Sequence, residues 1–347
     1  MKLYANMGKC VQILPTSSSF EPLEVYPNMI FDADCITMNM DSVQNVVPLN
    51  HDLIKEQKKL VLCRTYALGD VIQLIPIARH LREKYGMEIT IATSERYNNI
   101  IRTLFPEFKV IPHTSRSLID GDLYGLKIGL DGVLEADHST TNVQRLMHRV
   151  HIYSKFILDE EVNELDWRSQ IKEGKMLFDK SDEVIGIQLR GSGKMKTMPE
   201  EFVKKMIFEI AKTHKVMLID QDSERGFEGK NIINACGKMD IVSVYTHLKY
   251  LKCCLTMDSG VLWLAHMADC PVITFLASTR EEERLSLHPR YKEGKALVVD
   301  LAKDVGCKPC FETTKYCGGS INCMNKFNYD RILNSVMKKL KLILKDN

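Results

Sequence analysis

The sequence predicts an α/β protein made of two successive strand–helix halves. Short aliphatic runs alternate with amphipathic helical stretches from Lys59 to about Ile157. The alternation pauses over a charged stretch, residues 158–183, and restarts at Val184. Such alternation builds parallel sheets covered by helices on both faces. Ligands of these sheets bind beyond the carboxyl ends of the strands, so two halves imply a cleft between them.

In the first half, Lys59–Arg64 reads as a strand, followed by a Gly-containing turn and a helix from Asp70 to about Tyr85. Ile89–Ala92, Phe108–Ile111 and Leu126–Leu130 read as further strands, and Asn142 to about Ile157 as a helix. Residues 158–183 read as a linker with some helix. In the second half, Val184–Leu189, Val216–Ile219, Cys254–Met257 and Val272–Phe275 are strand candidates. Helices are expected from Pro199 to about His214, Ile241 to about Leu251, Gly260 to Ala268 and Tyr329 to Leu344. Pro199 followed by two glutamates marks a helix start. Ahead of all this, residues 1 to about 57 place short apolar pieces between turn formers, a pattern suited to short strands or hairpins.

The 347 residues, 45% hydrophobic and 27% charged, have the balance of an ordinary globular protein. A net charge of +2 gives no global reason to expect nucleic acid. No run approaches the ~18–20 apolar residues a membrane span needs, and Met1–Lys9 lacks the apolar core of a secretory signal. Without an export signal, the 11 cysteines read as reduced thiols or metal ligands in a cytoplasmic protein.

Four segments carry chemistry. In Leu68-Gly69-Asp70-Val71 with Pro76, Asp70 falls at or near a helix N-terminus, where amides and the macrodipole favour a carboxylate. Such a group serves as a general base or simply as a cap. Arg190-Gly191-Ser192-Gly193-Lys194-Met195-Lys196 joins small residues to basic ones before a helix, which suits a phosphate and equally a surface turn. Met257-Asp258-Ser259-Gly260 ends a strand and starts a helix, so its amides suit a diphosphate, or a plain capped turn. Cys307, Cys310, Cys317 and Cys323 lie within 17 residues, whereas the other seven cysteines are scattered from Cys10 to Cys270. Four thiolates so spaced suit a tetrahedral structural zinc or iron. The run Arg280–Arg284 reads as solvated, and His266 as a packed histidine.

The order and spacing of these motifs (Gly69-Asp70-Val71 with Pro76, Lys196 before Pro199-Glu200-Glu201, Asp258-Ser259-Gly260 with Leu264-Ala265) resemble glycosyltransferase family 9. This is the family of the ADP-heptose:lipopolysaccharide heptosyltransferases, with the GT-B fold. Cys307-Lys308-Pro309-Cys310, Cys317 and Cys323-Met324 resemble the cysteine-bearing tail of many members; in the autotransporter heptosyltransferases such a cluster holds iron. The resemblance implies two Rossmann-like domains facing a cleft. It divides the chain into an N-terminal extension (1–57), an acceptor domain (58–165), a linker (166–182), a nucleotide-sugar domain (183–302), a four-cysteine metal knuckle (303–326) and a C-terminal helix (327–347).

The resemblance further implies that Asp70 deprotonates the acceptor and that Lys196, assisted by Gly191 and Ser192, contacts the donor phosphate. Asp222 or Glu224 would hold the ribose, and Asp258, Ser259 and Gly260 the sugar and diphosphate. An inverting transfer without a catalytic metal follows, with ADP-heptose as the default donor. Trp263 stands where the family usually has a His, and Phe275–Thr279 replaces its Phe-Gly-x-Thr turn; both are expected to border the donor pocket. The acceptor is a glycan or lipid-linked core by family default. A protein hydroxyl or hydroxymethylated DNA is the alternative, and a non-catalytic sugar-nucleotide-binding protein a further one. Neither oligomeric state nor metal identity is legible.

Overall fold

The computed structural model describes short strands within residues 3–48, then residues 51–114, 125–131, 133–134, 147–163, 165–188, 190–191, 196–301, 303 and 326–345. The chain forms two compact units, Met1–Asp166 and Trp167–Asn347.

The first unit is centred on a seven-stranded sheet. Its strands are β1 (Leu3–Asn6), β4 (Met29–Asp32), β5 (Val46–Pro48), β6 (Lys59–Cys63), β7 (Glu88–Thr93), β8 (Lys109–Pro112) and β9 (Leu126–Gly129), in the order β5-β1-β4-β9-β6-β7-β8. A separate hairpin pairs β2 (Val11–Ile13) with β3 (Leu23–Val25). β6 runs parallel to β7 and β9, and β4 parallel to β9, while β1 is antiparallel to β4 and β5. Four of the five β6 residues are buried, which explains its unbroken aliphatic run: a central parallel strand is covered on both faces.

The helix expected from Asp70 to Tyr85 is two helices. α2 (Leu68–Ile72), which follows α1 (His51–Lys55), stops before Leu74, and α3 (Ile75–Tyr85) restarts with Pro76 in its first turn. Proline cannot donate to the residue four earlier, here Ile72, and its ring crowds that carbonyl; the first turn of a new helix accepts it. Gly86, at φ 68°, closes α3 in the left-handed conformation glycine favours. α4 (Glu95–Leu104) and α5 (Arg149–Leu158) complete the described helices longer than two residues in this unit.

The second unit is a doubly wound parallel sheet. Its strands are β10 (Val184–Gln188), β11 (Lys215–Ile219), β12 (Ile232–Asn234), β13 (Cys253–Met257), β14 (Val272–Leu276) and β15 (Ala296–Asp300), in the order β12-β11-β10-β13-β14-β15. β12 and β15 have no clear sequence signature; they are edge strands, so their burial is less continuous. Between the strands run α6 (Glu200–Ala211), α7 (Ile241–Leu248), α8 (Gly260–Met267) and α9 (Glu281–Leu285), and α10 (Tyr329–Lys345) closes the unit. No described helix is long and apolar enough to cross a membrane.

The stretch read as a linker with some helix carries no helix among its described residues beyond Leu158, the last residue of α5. From Trp167 onward it belongs to the second unit, fastened by side chains of α7 and the turn after it. Ser169 N and Gly174 N donate to Tyr245 Oη (3.2 Å) and Thr246 Oγ1 (2.8 Å), and Leu177 N donates to His247 Nε2 (2.9 Å). Glu173 collects Lys180, Lys249 and Tyr250. Side-chain acceptors thus replace the backbone partners a helix would have supplied.

Candidate active site

In each unit the charged candidates gather where the strand order reverses, beyond the carboxyl ends of the strands. In the first unit this is the junction of β6 and β9. β6 runs into Arg64 and Thr65, and β9 into Leu130 and Asp131. Ala67, at φ 56°, starts α2, a left-handed conformation costly for a residue with a Cβ. The turn thereby brings Asp70 back over the strand ends. Arg64 Nη2 donates to Asp70 Oδ2 at 2.7 Å, Arg149 Nη1 to Oδ1 at 2.8 Å, and Gln73 Nε2 to Oδ1 at 3.2 Å. Arg64 also donates to Leu130 O (3.0 Å) and lies 3.5 Å from Asp131, which accepts from Thr65 N and Oγ1. Asp70 is not a cap: it lies inside α2, within a buried network of two carboxylates and two guanidiniums.

Tyr97 of α4 is half buried nearby, and burial raises its pKa above the usual tyrosine value, with the Asp70 charge adding a smaller push in the same direction. Arg64, Arg149 and Asp131 were not singled out from the sequence. Each is an isolated polar residue at an element boundary, and only the fold makes them neighbours.

In the second unit the reversal lies between β10 and β13. Gly191 follows β10, and its N donates to Lys196 O at 2.6 Å. A Cβ on Gly191 would stand 2.8 Å from Lys196 Cβ and 3.3 Å from Met257 Cβ, so only glycine lets the loop close this tightly. The closure sets Lys196 Nζ 3.6 Å from Asp258 Oδ2, joining two candidates 62 positions apart. Asp258, nearly buried, accepts from Arg284 Nε (2.8 Å) on Oδ1 and from Thr279 Oγ1 (3.1 Å) on Oδ2.

Ser259 caps α8 by accepting from Val261 N at 3.2 Å and donates to Gln188 Oε1 at 2.7 Å; Gly260 opens the helix. Asp222 and Glu224 form a neighbouring group at the end of β11. Arg190 lies 3.3 Å from Asp220 and 3.6 Å from Asp222, and Asp222 accepts from Glu224 N (3.1 Å), while the Glu224 side chain is exposed. Ser192 and the four cysteines, Cys307, Cys310, Cys317 and Cys323, lie outside the described residues. Among the described residues no group of three or more His, Cys, Asp or Glu is placed to hold a metal.

One reading is corrected. The run Arg280–Arg284 is not a solvated surface: Glu283 and Arg284 are buried, Glu283 Oε2 accepts from Arg280 N, and Arg284 holds Asp258. Trp263 is buried, stacked on Trp167 with ring centres 6.3 Å apart and packed on His266 at 4.8 Å. His266 is packed, as expected; burial lowers its pKa to about 4, and its ring nitrogens face Leu262 O and Arg284 O.

A doubly wound sheet with a glycine-bounded basic loop, an acid after the second strand and a capped helix at its reversal point is the build of a nucleotide-binding α/β protein. The family model of glycosyltransferase family 9 (heptosyltransferase) matches residues 134–319. The chain belongs to glycosyltransferase family 9, and is a glycosyltransferase.

Solved structures share its α/β fold with parallel sheets. The iron-containing dodecameric glycosyltransferase TibC of enterotoxigenic E. coli H10407 is 15% identical with a TM-score of 0.60, over 99% of this chain and 92% of that one. ADP-heptose LPS heptosyltransferase II of E. coli is 16% identical with a TM-score of 0.58, over 82% and 99%. A family 9 glycosyltransferase of Veillonella parvula DSM 2008 is 13% identical with a TM-score of 0.58, over 85% and 98%. No curated protein matches the chain in sequence.

Proposed function

We propose that this chain moves a sugar, heptose by family default, from a nucleoside-diphosphate sugar to an acceptor hydroxyl with inversion at the anomeric carbon. Residues 58–165 serve as the acceptor domain and residues 183–302 as the nucleotide-sugar domain. The observation that carries the reading is Lys196 standing 3.6 Å from Asp258 at the reversal point of the second sheet. A cation and a carboxylate side by side match a donor that presents a diphosphate next to a ring of hydroxyls.

In the proposed reaction the acceptor oxygen attacks the anomeric carbon and Asp70 takes its proton. The bond from that carbon to the diphosphate oxygen breaks on the opposite face. Lys196, with the amides that open α8, stabilises the charge on the departing nucleoside diphosphate, so no catalytic metal is required. Arg64 and Arg149 hold the Asp70 carboxylate in place. Asp222 or Glu224 takes the ribose hydroxyls, and Ser192 assists at the phosphate.

TibC has been solved in complex with ADP-D-beta-D-heptose, which supports ADP-heptose as the first donor to try. The acceptor is a glycan or lipid-linked core. The resemblance of the cysteine segment to that of the autotransporter heptosyltransferases favours a protein hydroxyl as the second reading. That segment would hold a structural zinc or iron through Cys307, Cys310, Cys317 and Cys323, a donor set suited to either metal; TibC is iron-containing. A thermal-shift screen over ADP-, UDP- and GDP-linked sugars tests the whole reading: a rise in melting temperature with one donor family is expected. No stabilisation by any of them overturns it.

A further inference from the structure

Arg284 lies outside the residues that the family motifs single out, yet it holds Asp258 more closely than Lys196 does. Its Nε stands 2.8 Å from Asp258 Oδ1, whereas Lys196 Nζ stands 3.6 Å from Oδ2. Arg284 is 1% exposed, and its Nη1 has no hydrogen-bond partner among the described residues. Burying a guanidinium costs free energy unless something demands the charge there. The fold fixes it from two sides. Arg280 N donates to Glu283 Oε2 at 2.9 Å across the first turn of α9, and His266 Nε2 lies 3.0 Å from the Arg284 carbonyl, tying α9 to α8. The carbonyl and the guanidinium of one residue thus anchor to the helix behind the site and to the carboxylate within it.

The two distances differ in kind. At 2.8 Å Arg284 makes a charge-assisted hydrogen bond; at 3.6 Å Lys196 feels the carboxylate without donating to it. Thr279 Oγ1, 3.1 Å from the same Oδ2 as Lys196, takes a further acceptor position there. A lysine beside a lone carboxylate would close onto it and commit a donor, and its position, to that contact. With Arg284 and Thr279 already on Asp258, the Lys196 ammonium keeps donors for an incoming anion. The three side chains carry a net single positive charge, beside the first turn of the eight-residue α8.

We propose that Arg284 is a positioning residue of the donor site: it occupies Asp258 so that Lys196 stays available to the diphosphate. The inference rests on the donor-site reading above. Removing Arg284 leaves Asp258 to capture Lys196, and diphosphate affinity falls. Removing the carboxylate as well leaves Lys196 nothing to close onto, and affinity returns. A residue that only props up the fold predicts no such return.

The experiment is calorimetric titration of the full chain with ADP, with adenosine in a parallel arm, and UDP and GDP in place of ADP should the wild type prefer them. Arg284→Gln should weaken ADP by about tenfold or more, the scale of a lost charge-assisted contact, and leave adenosine unchanged. Asp258→Asn/Arg284→Gln should regain most of that loss, and replacing both members of a buried pair by neutral groups spares the fold an unpaired charge. Should Arg284→Gln fail to fold, the double variant still decides, because it must bind ADP within about threefold of the wild type. Unchanged ADP affinity in Arg284→Gln, an equal loss for adenosine, or a double variant that binds no better than the single one overturns the proposal. A wild type that binds no nucleoside diphosphate overturns the donor-site reading itself.

Discussion

Arg64 Nη2 stands 2.7 Å from Asp70 Oδ2, and the two side chains are 1% and 8% exposed. This buried pair orients the residue proposed to take the acceptor proton, and a charge partner so close favours the ionised carboxylate that a base requires. Asp70→Asn keeps the shape and the Gln73 contact but removes the base. Sugar transfer should fall by about 10²–10⁴-fold, the usual worth of general base catalysis. Nucleoside diphosphate binding, measured by calorimetry, should stay within about twofold, because Asp70 is proposed to act on the acceptor hydroxyl and not on the nucleotide. Full transfer activity in Asp70→Asn would remove the base assignment. Arg64→Met should destabilise the chain by about 3–5 kcal/mol in denaturant unfolding, since it leaves buried carboxylates short of a partner.

Gly191→Ala tests the loop that places Lys196. The added Cβ would meet Lys196 Cβ at 2.8 Å and Lys196 O at 3.0 Å, the latter belonging to backbone that already accepts from Gly191 N. The loop must shift by tenths of an ångström, at a cost of about 1–3 kcal/mol for such overpacking. The shift carries Lys196 with it, so nucleoside diphosphate affinity should fall by about tenfold, alongside a drop of a few degrees in melting temperature from the strain. Affinity equal to the wild type would mean that Lys196 is not placed by this contact.

How far the sequence carried depended on whether the signal was local. The strands β6, β10, β13 and β14 were legible because both faces are buried and each shows as an aliphatic run. Asp70, Lys196 and Asp258 were legible because each sits in a short motif. Their partners were not. Arg284 lies in a run of charges, Arg280-Glu281-Glu282-Glu283-Arg284, that looks solvated until α9 turns one side of it into the sheet. Arg149 is 79 positions from Asp70, and nothing in either neighbourhood announces the contact. The break between α2 and α3 was legible in principle, since Pro76 forbids an unbroken helix through Ile72. The strap after Trp167 was not, because its backbone is satisfied by α7 side chains and carries no periodicity of its own.

Stability should fall on acidification through buried histidine. His266 is fully buried, and desolvation lowers its pKa to about 4; His247 is lowered for the same reason. An unfolded histidine titrates near 6.5, so between about pH 6.5 and 4 the unfolded chain binds protons that the folded chain refuses. The stabilisation is complete above about pH 6.5 and lost as the pH falls toward 4, by about 3 kcal/mol for His266. Urea unfolding at pH 7.5 and 5.0 should show the wild type weaker at the lower pH. His266→Gln should flatten that difference, and an equal pH dependence in the variant would assign the effect elsewhere.

The cysteine segment makes a stoichiometric prediction. Purified full-length protein should carry about one zinc or iron atom per chain by elemental analysis, as four thiolates in one tetrahedral site require. Cys310→Ser should lower both the metal content and the melting temperature, since structural metal binding contributes to folding. A chain with well under one metal atom, whose stability ignores Cys310→Ser, would remove the site.

Trp263 offers the last test, because the sequence and the fold point to different roles for it. Its position, five residues after Asp258, suggests a donor contact and hence a changed sugar. In the folded chain the indole is 3% exposed, stacked on Trp167 and packed on His266, whose ring in turn meets His288 at 4.3 Å. A side chain so enclosed contributes packing, and truncating a buried aromatic costs about 3–5 kcal/mol. Trp263→His, which installs the family's usual residue, should therefore lower the melting temperature and leave the ranking of ADP-, UDP- and GDP-linked sugars unchanged. The Trp167→Ala variant should lower stability by a similar amount, because it removes the other half of the same stack. A switch in donor preference in Trp263→His without loss of stability would return Trp263 to the donor pocket.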